Sequence, residues 1–220
     1  TARNDTGTVN EDATLTVAND GNAASVTAAT FNSNKHLAQL GHQIQETKFN
    51  NDGTKMFALD NTNGVDKILE YTLSTAFDVS TASYDGADET FSIGSQHTNA
   101  YGFVFNNDGT KFYVVGGNSS SVYEYDVSTA YDISTSSYNN NRFTLSTSQP
   151  YSLAFNSDGT KMFICDSSQR RVQEYSLSTA FDITSASYSN YLSVINQEGS
   201  PSGITFNNDG TKLFLTGSAG

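Results

Sequence analysis

The sequence predicts an all-β protein, a β-propeller built from four-stranded antiparallel blades. A unit of about fifty residues recurs along the chain, each unit holds four short apolar runs separated by turn residues, and no segment shows helical periodicity. The composition agrees, because Phe and Tyr supply all of the 12% aromatic residues and only 15% of residues are charged.

One heptapeptide defines the repeat. The sequence Phe-Asn-Asn/Ser-Asp-Gly-Thr-Lys occupies residues 49–55, 105–111, 155–161 and 206–212, so that successive copies begin 56, 50 and 51 residues apart. A second motif, Glu-Tyr-x-x-Ser-Thr-Ala-aromatic-Asp, begins at Glu70, Glu124 and Glu174. A tyrosine follows each copy at a constant offset, at Tyr84, Tyr138 and Tyr188. The repeat is therefore specified along most of its length.

The second unit shows the predicted strand order. The first strand covers residues 101–105, the second 111–115, the third 121–127 and the fourth 142–145, after a Ser/Thr-rich connection. The dipeptide Asp-Gly makes the tight turn between the first two strands, since it readily takes positive φ angles. The predicted structural turn residues of the four units are Asp52, Gly53, Asp108, Gly109, Asp158, Gly159, Asp209 and Gly210.

The repeat length bears on the type of propeller and on one rival architecture, the β-solenoid. Kelch-like units have the observed length, whereas WD-repeat units are shorter and carry Trp, which the chain lacks. A β-solenoid is the main rival, but its coils repeat at shorter periods and need no hairpin in each repeat. The pattern favours the propeller.

The repeats are not in phase with the ends of the sequence. Residues 24–32 align with a fourth strand, three complete blades follow over residues 43–194, and the last unit supplies only its first two strands. Either a four-bladed ring has a three-stranded closing blade, or the chain is part of a longer propeller. We prefer the second, because the first leaves a sheet edge exposed. The predicted domains are a boundary segment at 1–23 and propeller repeats at 24–220.

Two family resemblances carry information about context. Residues 4–17, Asn-Asp-Thr-Gly-Thr-Val-Asn-Glu-Asp-Ala-Thr-Leu-Thr-Val, resemble the boundary motif of VCBS and cadherin-like tandem domains. Residues 201–213 resemble the Pro-x-Gly-Ile-x-Phe-x-x-Asp-Gly pattern of YVTN-like bacterial propellers, and residues 150–162 match it with Ser152 in place of Gly. The first resemblance implies a large bacterial surface protein such as an adhesin. The second implies binding or scaffold proteins, with lyases and lactonases among their relatives.

Charge excludes two classes of partner. The net charge of -12 predicts repulsion from nucleic acid phosphates and from anionic membranes, and no apolar stretch is long enough to insert into a bilayer. The single cysteine, Cys165, rules out an intrachain disulfide and a cysteine-based zinc cluster, and its apolar surroundings predict a small buried side chain.

Calcium is the metal that the sequence leaves open. Each Asp-Gly turn offers one carboxylate, too few for a calcium loop, whereas Asp5, Glu11 and Asp12 are candidate ligands at a domain junction. The three histidines, His36, His42 and His97, have no metal-binding spacing. We therefore predict no catalytic residue and no cofactor-binding residue.

The repeated side chains predict structural roles. Glu70, Glu124 and Glu174 should form cross-strand pairs or a solvated face, because a catalytic residue is needed only once. Tyr71, Tyr125 and Tyr175 should pack between blades with the heptapeptide phenylalanines.

The sequence thus predicts a non-catalytic extracellular or cell-surface propeller module that serves as a binding or adhesion scaffold. Its expected partners are a protein or carbohydrate surface ligand, neighbouring subunits, or the rest of the same chain. The alternative is a structural protein of a virion appendage or assembly, and the third hypothesis is a lyase- or lactonase-type propeller enzyme.

Overall fold

The structure, a computed structural model, describes residues 15–16, 30–31, 43–117 and 119–218. In these ranges the chain forms β-strands joined by turns and short 3₁₀ helices. The strands are β1 (Leu15–Thr16), β2 (Thr30–Phe31), β3 (Ile44–Phe49), β4 (Lys55–Asp60), β5 (Lys67–Leu73), β6 (Ala82–Tyr84), β7 (Thr90–Ser92), β8 (Ala100–Phe105), β9 (Lys111–Gly116), β10 (Ser121–Val127), β11 (Ser136–Thr144), β12 (Pro150–Phe155), β13 (Lys161–Asp166), β14 (Arg171–Leu177), β15 (Ala186–Ser193), β16 (Pro201–Phe206) and β17 (Leu213–Gly217). The 3₁₀ helices are Thr62–Gly64, Val79–Thr81, Ala87–Glu89, Ile133–Thr135 and Ile183–Ser185.

The strands form successive antiparallel blades, which confirms the predicted fold. The second and third blades are four-stranded sheets in chain order, β8 to β11 and β12 to β15. In the first blade, β3, β4 and β5 are followed by a fourth strand that is divided into β6 and β7, both paired with β5. The fourth unit contributes the hairpin β16–β17. The first strands β3, β8, β12 and β16 lie beside one another, as the inner strands of propeller blades do.

Some strand limits differ from the prediction. The fourth strand of the second blade begins at Ser136, not at residue 142, because the predicted Ser/Thr-rich connection is compact. Asp132 caps the 3₁₀ helix Ile133–Thr135 by accepting a hydrogen bond from the Ser134 N–H, and the chain then enters the sheet directly. Of residues 24–32, the described pair Thr30–Phe31 is bonded to Leu15–Thr16.

In the three complete blades, the Asp-Gly turn packs against the second motif of its own blade. In the second blade, Asp108 Oδ1 accepts hydrogen bonds from Thr110 N–H (3.0 Å) and Oγ1 (2.6 Å), and Gly109 takes a φ of +72°. The Tyr131 N–H donates to the Gly109 carbonyl at 3.0 Å, and the tyrosine ring covers the glycine so closely that a Cβ there would collide with it. Phe77 and Phe181 cover Gly53 and Gly159 in the same way.

Aromatic side chains join each blade to the next. The heptapeptide phenylalanines contact an aromatic ring on the second strand of the preceding blade, with centroid distances of 4.7 Å for Phe57–Phe105, 4.7 Å for Tyr113–Phe155 and 4.6 Å for Phe163–Phe206. Two of the three motif tyrosines also pack between blades, but against the outer strand: Phe91 contacts Tyr125 at 5.6 Å and Phe143 contacts Tyr175 at 5.3 Å. Tyr71 instead contacts Tyr84 of its own blade at 5.4 Å. The core is thus continuous from blade to blade.

Candidate functional site

Four equivalent positions on the inner strands converge on one cavity. Lys48, Val104, Ala154 and Thr205 lie opposite Phe57, Tyr113, Phe163 and Phe214, respectively, in their hairpins. All four line a cavity of about 540 Å³, which we call the axial cavity, together with Asn156, Asn207 and Lys161. Its volume lies in the range of small-molecule sites, roughly 300–1,000 Å³.

The first blade departs from the repeat at two positions near the axial cavity. The residue two places before the cavity position is Glu46 in the first blade, but Gly102, Ser152 and Gly203 in the other three. At the cavity position itself the first blade has Lys48, whereas the others have Val, Ala and Thr. A carboxylate and an ammonium group therefore occur where the repeat otherwise places small or apolar residues.

Glu46 and Lys48 form a close ion pair. Lys48 Nζ lies 2.5 Å from Glu46 Oε1, and Glu46 Oε2 accepts a hydrogen bond of 2.7 Å from the Phe103 N–H of the neighbouring inner strand. The close approach requires glycine at position 102, because a Cβ there would lie 2.8 Å from the Tyr151 carbonyl oxygen and 3.3 Å from Glu46 Oε2. The carboxylate is thus held between two blades.

Burial controls the protonation of Glu46. Loss of solvent raises the pKa of its carboxyl group above the ordinary value, and this effect exceeds the opposing influence of the Lys48 ammonium and the Phe103 N–H. A carboxylate with a raised pKa exchanges protons closer to neutral pH, as general acid-base catalysis requires. The adjacent ammonium can stabilise negative charge that develops on a bound molecule.

The repeated glutamates lie outside this cavity and form cross-strand ion pairs with the heptapeptide lysines. Lys55 contacts Glu70, Lys111 Nζ lies 2.6 Å from Glu124 Oε1, and Lys161 Nζ lies 2.8 Å from Glu174 Oε1. Glu70 and Glu124 are almost fully buried, whereas Glu174 keeps 29% of its side chain exposed. The solvated face that the sequence allowed thus applies at most to the third blade.

One group of carboxylates outside the cavity is close enough to share an ion. Oxygen atoms of Glu70, Glu89 and Asp132 lie within 4.8 Å of one another. The Glu70 carboxylate, however, already contacts Lys55 and accepts a hydrogen bond of 2.9 Å from the Ile133 N–H. These contacts explain Glu70 as a link between the first two blades without a metal.

Of the other candidate residues, the turn residues Asp209 and Gly210 line the cavity, whereas His97 and Cys165 do not. His97 is 1% exposed and packs edge-on against Tyr123 at 4.7 Å, and burial lowers its pKa to about 4. Cys165 is buried in an apolar cluster with Val172, Val194 and Ile204, and burial raises the pKa of its thiol to about 12. His36, His42 and the calcium candidates Asp5, Glu11 and Asp12 lie outside the described residues.

The four Asp-Gly turns use their carboxylates locally. Each aspartate accepts hydrogen bonds from the N–H and the hydroxyl of the threonine two residues later, and this reduces the capacity of that oxygen to bind an ion. These bonds lower the pKa of all four aspartates below the ordinary value.

Sequence reasoning missed Glu46 and Lys48 because it weighted the residues that recur. The available signal was a lack of recurrence: the first unit differs from the other three at two alternating positions of one strand. It becomes informative once the four inner strands are known to lie side by side.

Comparison with known proteins supports the propeller fold. No family model matches the chain, and no curated protein matches its sequence. Solved structures do match, and β-propellers are among them. A proposed 6-phosphogluconolactonase from Bacteroides fragilis superposes with a TM-score of 0.57 at 13% identity, over 92% of this chain and 56% of that one. The periplasmic gluconolactonase of Pseudomonas aeruginosa gives 0.52 at 15% identity, over 92% of this chain and 55% of that one.

A nidogen/laminin complex contains a further similar chain, with a TM-score of 0.59 at 13% identity, over 93% of this chain and 66% of that one. This chain spans little more than half the length of the two lactonases. At such identities the likeness establishes the fold.

These structures correct the functional interpretation of the sequence. The prediction of a non-catalytic binding and adhesion module, and of a protein that is not an enzyme, was wrong: the similar structures include lactonases, which are enzymes. The error lay in treating regular repetition as evidence against catalysis, although lactonases are among the solved structures that share this repeated fold.

A search of the described residues for membrane-spanning helices finds none of sufficient length and hydropathy.

Proposed function

We propose that the axial cavity is a hydrolytic site for a lactone, the internal ester of a sugar acid. The observation that carries the proposal is the Glu46–Lys48 pair, in which a partly buried carboxylate of raised pKa lies beside the ammonium group of Lys48, a residue that lines the cavity. The fold likeness to lactonases supports the choice of an ester substrate over other substrates of acid-base catalysis.

The residues present allow a balanced reaction. Glu46 accepts a proton from water as the water oxygen bonds to the lactone carbonyl carbon, and the Lys48 ammonium stabilises the resulting oxyanion. The ring C–O bond then breaks, and the leaving alkoxide takes the proton from Glu46. One water is added, the product is an open-chain hydroxy acid, and Glu46 returns to its initial state.

The polar wall of the cavity suits a polyhydroxylated substrate. Asn156 and Asn207 each use one amide N–H and the carbonyl oxygen within their own turn and keep a second amide N–H, and Lys161, which pairs with Glu174, adds a second ammonium group to the lining. These groups offer hydrogen bonds to sugar hydroxyls and attraction for a carboxylate product.

The test is hydrolysis of D-glucono-δ-lactone by the full chain, followed by pH-stat titration after subtraction of the uncatalysed rate. We expect Glu46→Gln to lower kcat by about 10²–10⁴-fold, the usual contribution of a general acid-base group. Glu89→Gln, on the 3₁₀ helix before β7, is the matched control and should keep the wild-type rate. Turnover by the wild-type chain that Glu46→Gln leaves intact would refute the assignment.

The wider context of the chain is proposed from the sequence motifs. The YVTN-like repeat and the VCBS-like boundary motif support an extracellular or cell-surface protein, with calcium held by Asp5, Glu11 and Asp12 at a domain junction. In this setting we expect a carbohydrate-derived substrate or a neighbouring protein as partner. Secretion of an epitope-tagged chain with its native flanking sequence, measured by protease accessibility on intact cells, tests the location.

A further inference from the structure

We propose that the open edge of β17 binds an extended peptide strand with the pattern aliphatic-x-Glu-Tyr-x-aliphatic-Ser-Thr-Ala-aromatic-Asp. In the three complete blades, the strand equivalent to β17 pairs on one side with the inner strand and on the other side with a third strand of this pattern. Among the described residues, β17 pairs with β16 alone. The fold therefore presents one half of a pairing that it forms elsewhere three times.

The docking surface includes a space above Gly210 that an aromatic ring fills in the other blades; we call this space the aromatic seat. Gly53, Gly109 and Gly159 are each covered by the aromatic ring of the Ser-Thr-Ala-aromatic-Asp segment that follows the third strand. Gly210 makes the same turn with a φ of +69°, yet no atom of the described residues lies within 4 Å of the position its Cβ would occupy. Gly210 therefore forms the turn, but no described residue supplies the aromatic ring that covers the three equivalent glycines.

An apolar groove continues from this seat. It has a volume of about 370 Å³, and its walls include Phe163, Val172, Leu192, Phe206 and Leu213. In the preceding blades the residues equivalent to Leu213 and Leu192 contact the motif tyrosine: Phe112 stacks on Tyr125 at 4.6 Å, and Phe143 meets Tyr175 edge-on at 5.3 Å. Leu192 is 56% exposed here, so that the tyrosine of a docked strand would cover it.

The charge of Lys212 and the backbone carbonyl of Thr211 also favour a strand with the third-strand pattern. Each heptapeptide lysine of the complete blades pairs with the glutamate of its third strand, and the equivalent Lys212 is exposed beside β17. In those blades the third strand also donates a backbone hydrogen bond to the carbonyl of the turn threonine, at 2.7 Å from Val127 to Thr110 and 2.8 Å from Leu177 to Thr160. The carbonyl of Thr211 is the corresponding acceptor. Strand addition to a sheet edge uses such main-chain bonds for affinity and side-chain pockets for specificity.

The register of the docked strand follows from the second blade. There, Val115, Val114, Tyr113 and Phe112 of β9 pair with Val122, Tyr123, Glu124 and Tyr125 of β10. A peptide of residues 119–135 would therefore place its glutamate opposite Phe214 and its first motif tyrosine opposite Leu213. Its last tyrosine would cover Gly210.

The experiment measures binding of a fluorescein-labelled peptide of residues 119–135 to the full chain by anisotropy, at about 150 mM salt. We expect saturable binding, and a scrambled peptide should not bind. Gly210→Ala should weaken binding about tenfold or more, because the added Cβ occupies the aromatic seat. Gly86→Ala, another glycine of positive φ with nothing within 4 Å, is the matched control and should bind the peptide normally.

A second variant and two outcomes complete the test. Lys212→Met should weaken binding about threefold and reduce its salt dependence, as expected for a partly exposed ion pair. Equal binding of the scrambled peptide, or normal binding to Gly210→Ala, would overturn the proposal. A dimer of the chain that forms through β17 and resists the peptide would also overturn it, because the edge would then prefer a second copy.

Discussion

Replacement of Gly109 by alanine tests how the two sequence motifs cooperate. Gly109 has a φ of +72°, and an alanine in this left-handed region costs about 1–2 kcal/mol. The new Cβ would also collide with the Tyr131 ring, which packs 5.3 Å from Phe105 and 6.4 Å from Phe57. Displacement of the ring forfeits two aromatic contacts of about 0.5–1.5 kcal/mol each. The expected total loss is about 2–5 kcal/mol.

Urea denaturation measures this loss, and the chain provides its own controls. Gly159→Ala should lose a similar amount, because Phe181 covers Gly159 as Tyr131 covers Gly109. Gly210→Ala has the same backbone strain without a covering ring, so its loss should stay near about 1–2 kcal/mol. Equal losses in all three variants would refute the interlock between turn and aromatic segment.

Three further predictions follow from the ion pairs, the buried histidine and the amide contacts between turns. Lys111→Met removes the cation that pairs with the buried Glu124, which keeps hydrogen bonds from Asn139 and Asn141, and should cost about 1.5–3 kcal/mol in urea denaturation. Lys161→Met, whose partner is 29% exposed, should cost less than about 1 kcal/mol, and similar losses in the two variants would contradict the difference in burial. Burial lowers the pKa of His97 to about 4, so the unfolded chain, with an ordinary pKa of 6.5, binds the proton first: the stability from neutral His97 is present above pH 6.5 and is lost as the pH falls toward 4. His97→Gln should remove up to about 3 kcal/mol of this pH dependence, measured as the difference in unfolding free energy from wild type at several pH values, and an unchanged profile would refute it. Ser157→Asn should add about 0.5–1 kcal/mol, since the Asn side chains at this position of the two preceding turns donate to the next turn at 2.8 Å and 2.6 Å; a melting temperature at or below that of wild type would contradict this.

Local chemistry made most of the fold predictable. The Asp-Gly turns and the alternating third strands depend on near neighbours in sequence, and so the blade order followed from the repeat alone. The start of the fourth strand did not, because the cap at Asp132 shortens a connection that composition marks as irregular. The environment of the buried Glu70 also depends on the next blade, where the Ile133 N–H donates to its carboxylate at 2.9 Å, a contact between residues that are distant in sequence.

The candidate site was less predictable from the sequence, because it depends on contacts between blades. Recurrence in sequence identifies what all blades need, whereas Glu46 and Lys48 matter because one blade differs from the others. Their significance depends on three facts of tertiary structure: the inner strands are adjacent, the Glu46 carboxylate lies between two of them, and the cavity positions converge. Sequence spacing supplies none of these.

The pH dependence of kcat/KM for lactone hydrolysis tests the central claim most directly, because it reports the ionisation of the group that moves the proton. If Glu46 is the general base, activity should rise with pH through an apparent pKa above the ordinary carboxyl value of 4.5, and Glu46→Gln should abolish that step together with the activity. A catalytic profile that keeps the same step in Glu46→Gln would contradict the account and place the chemistry elsewhere in the molecule.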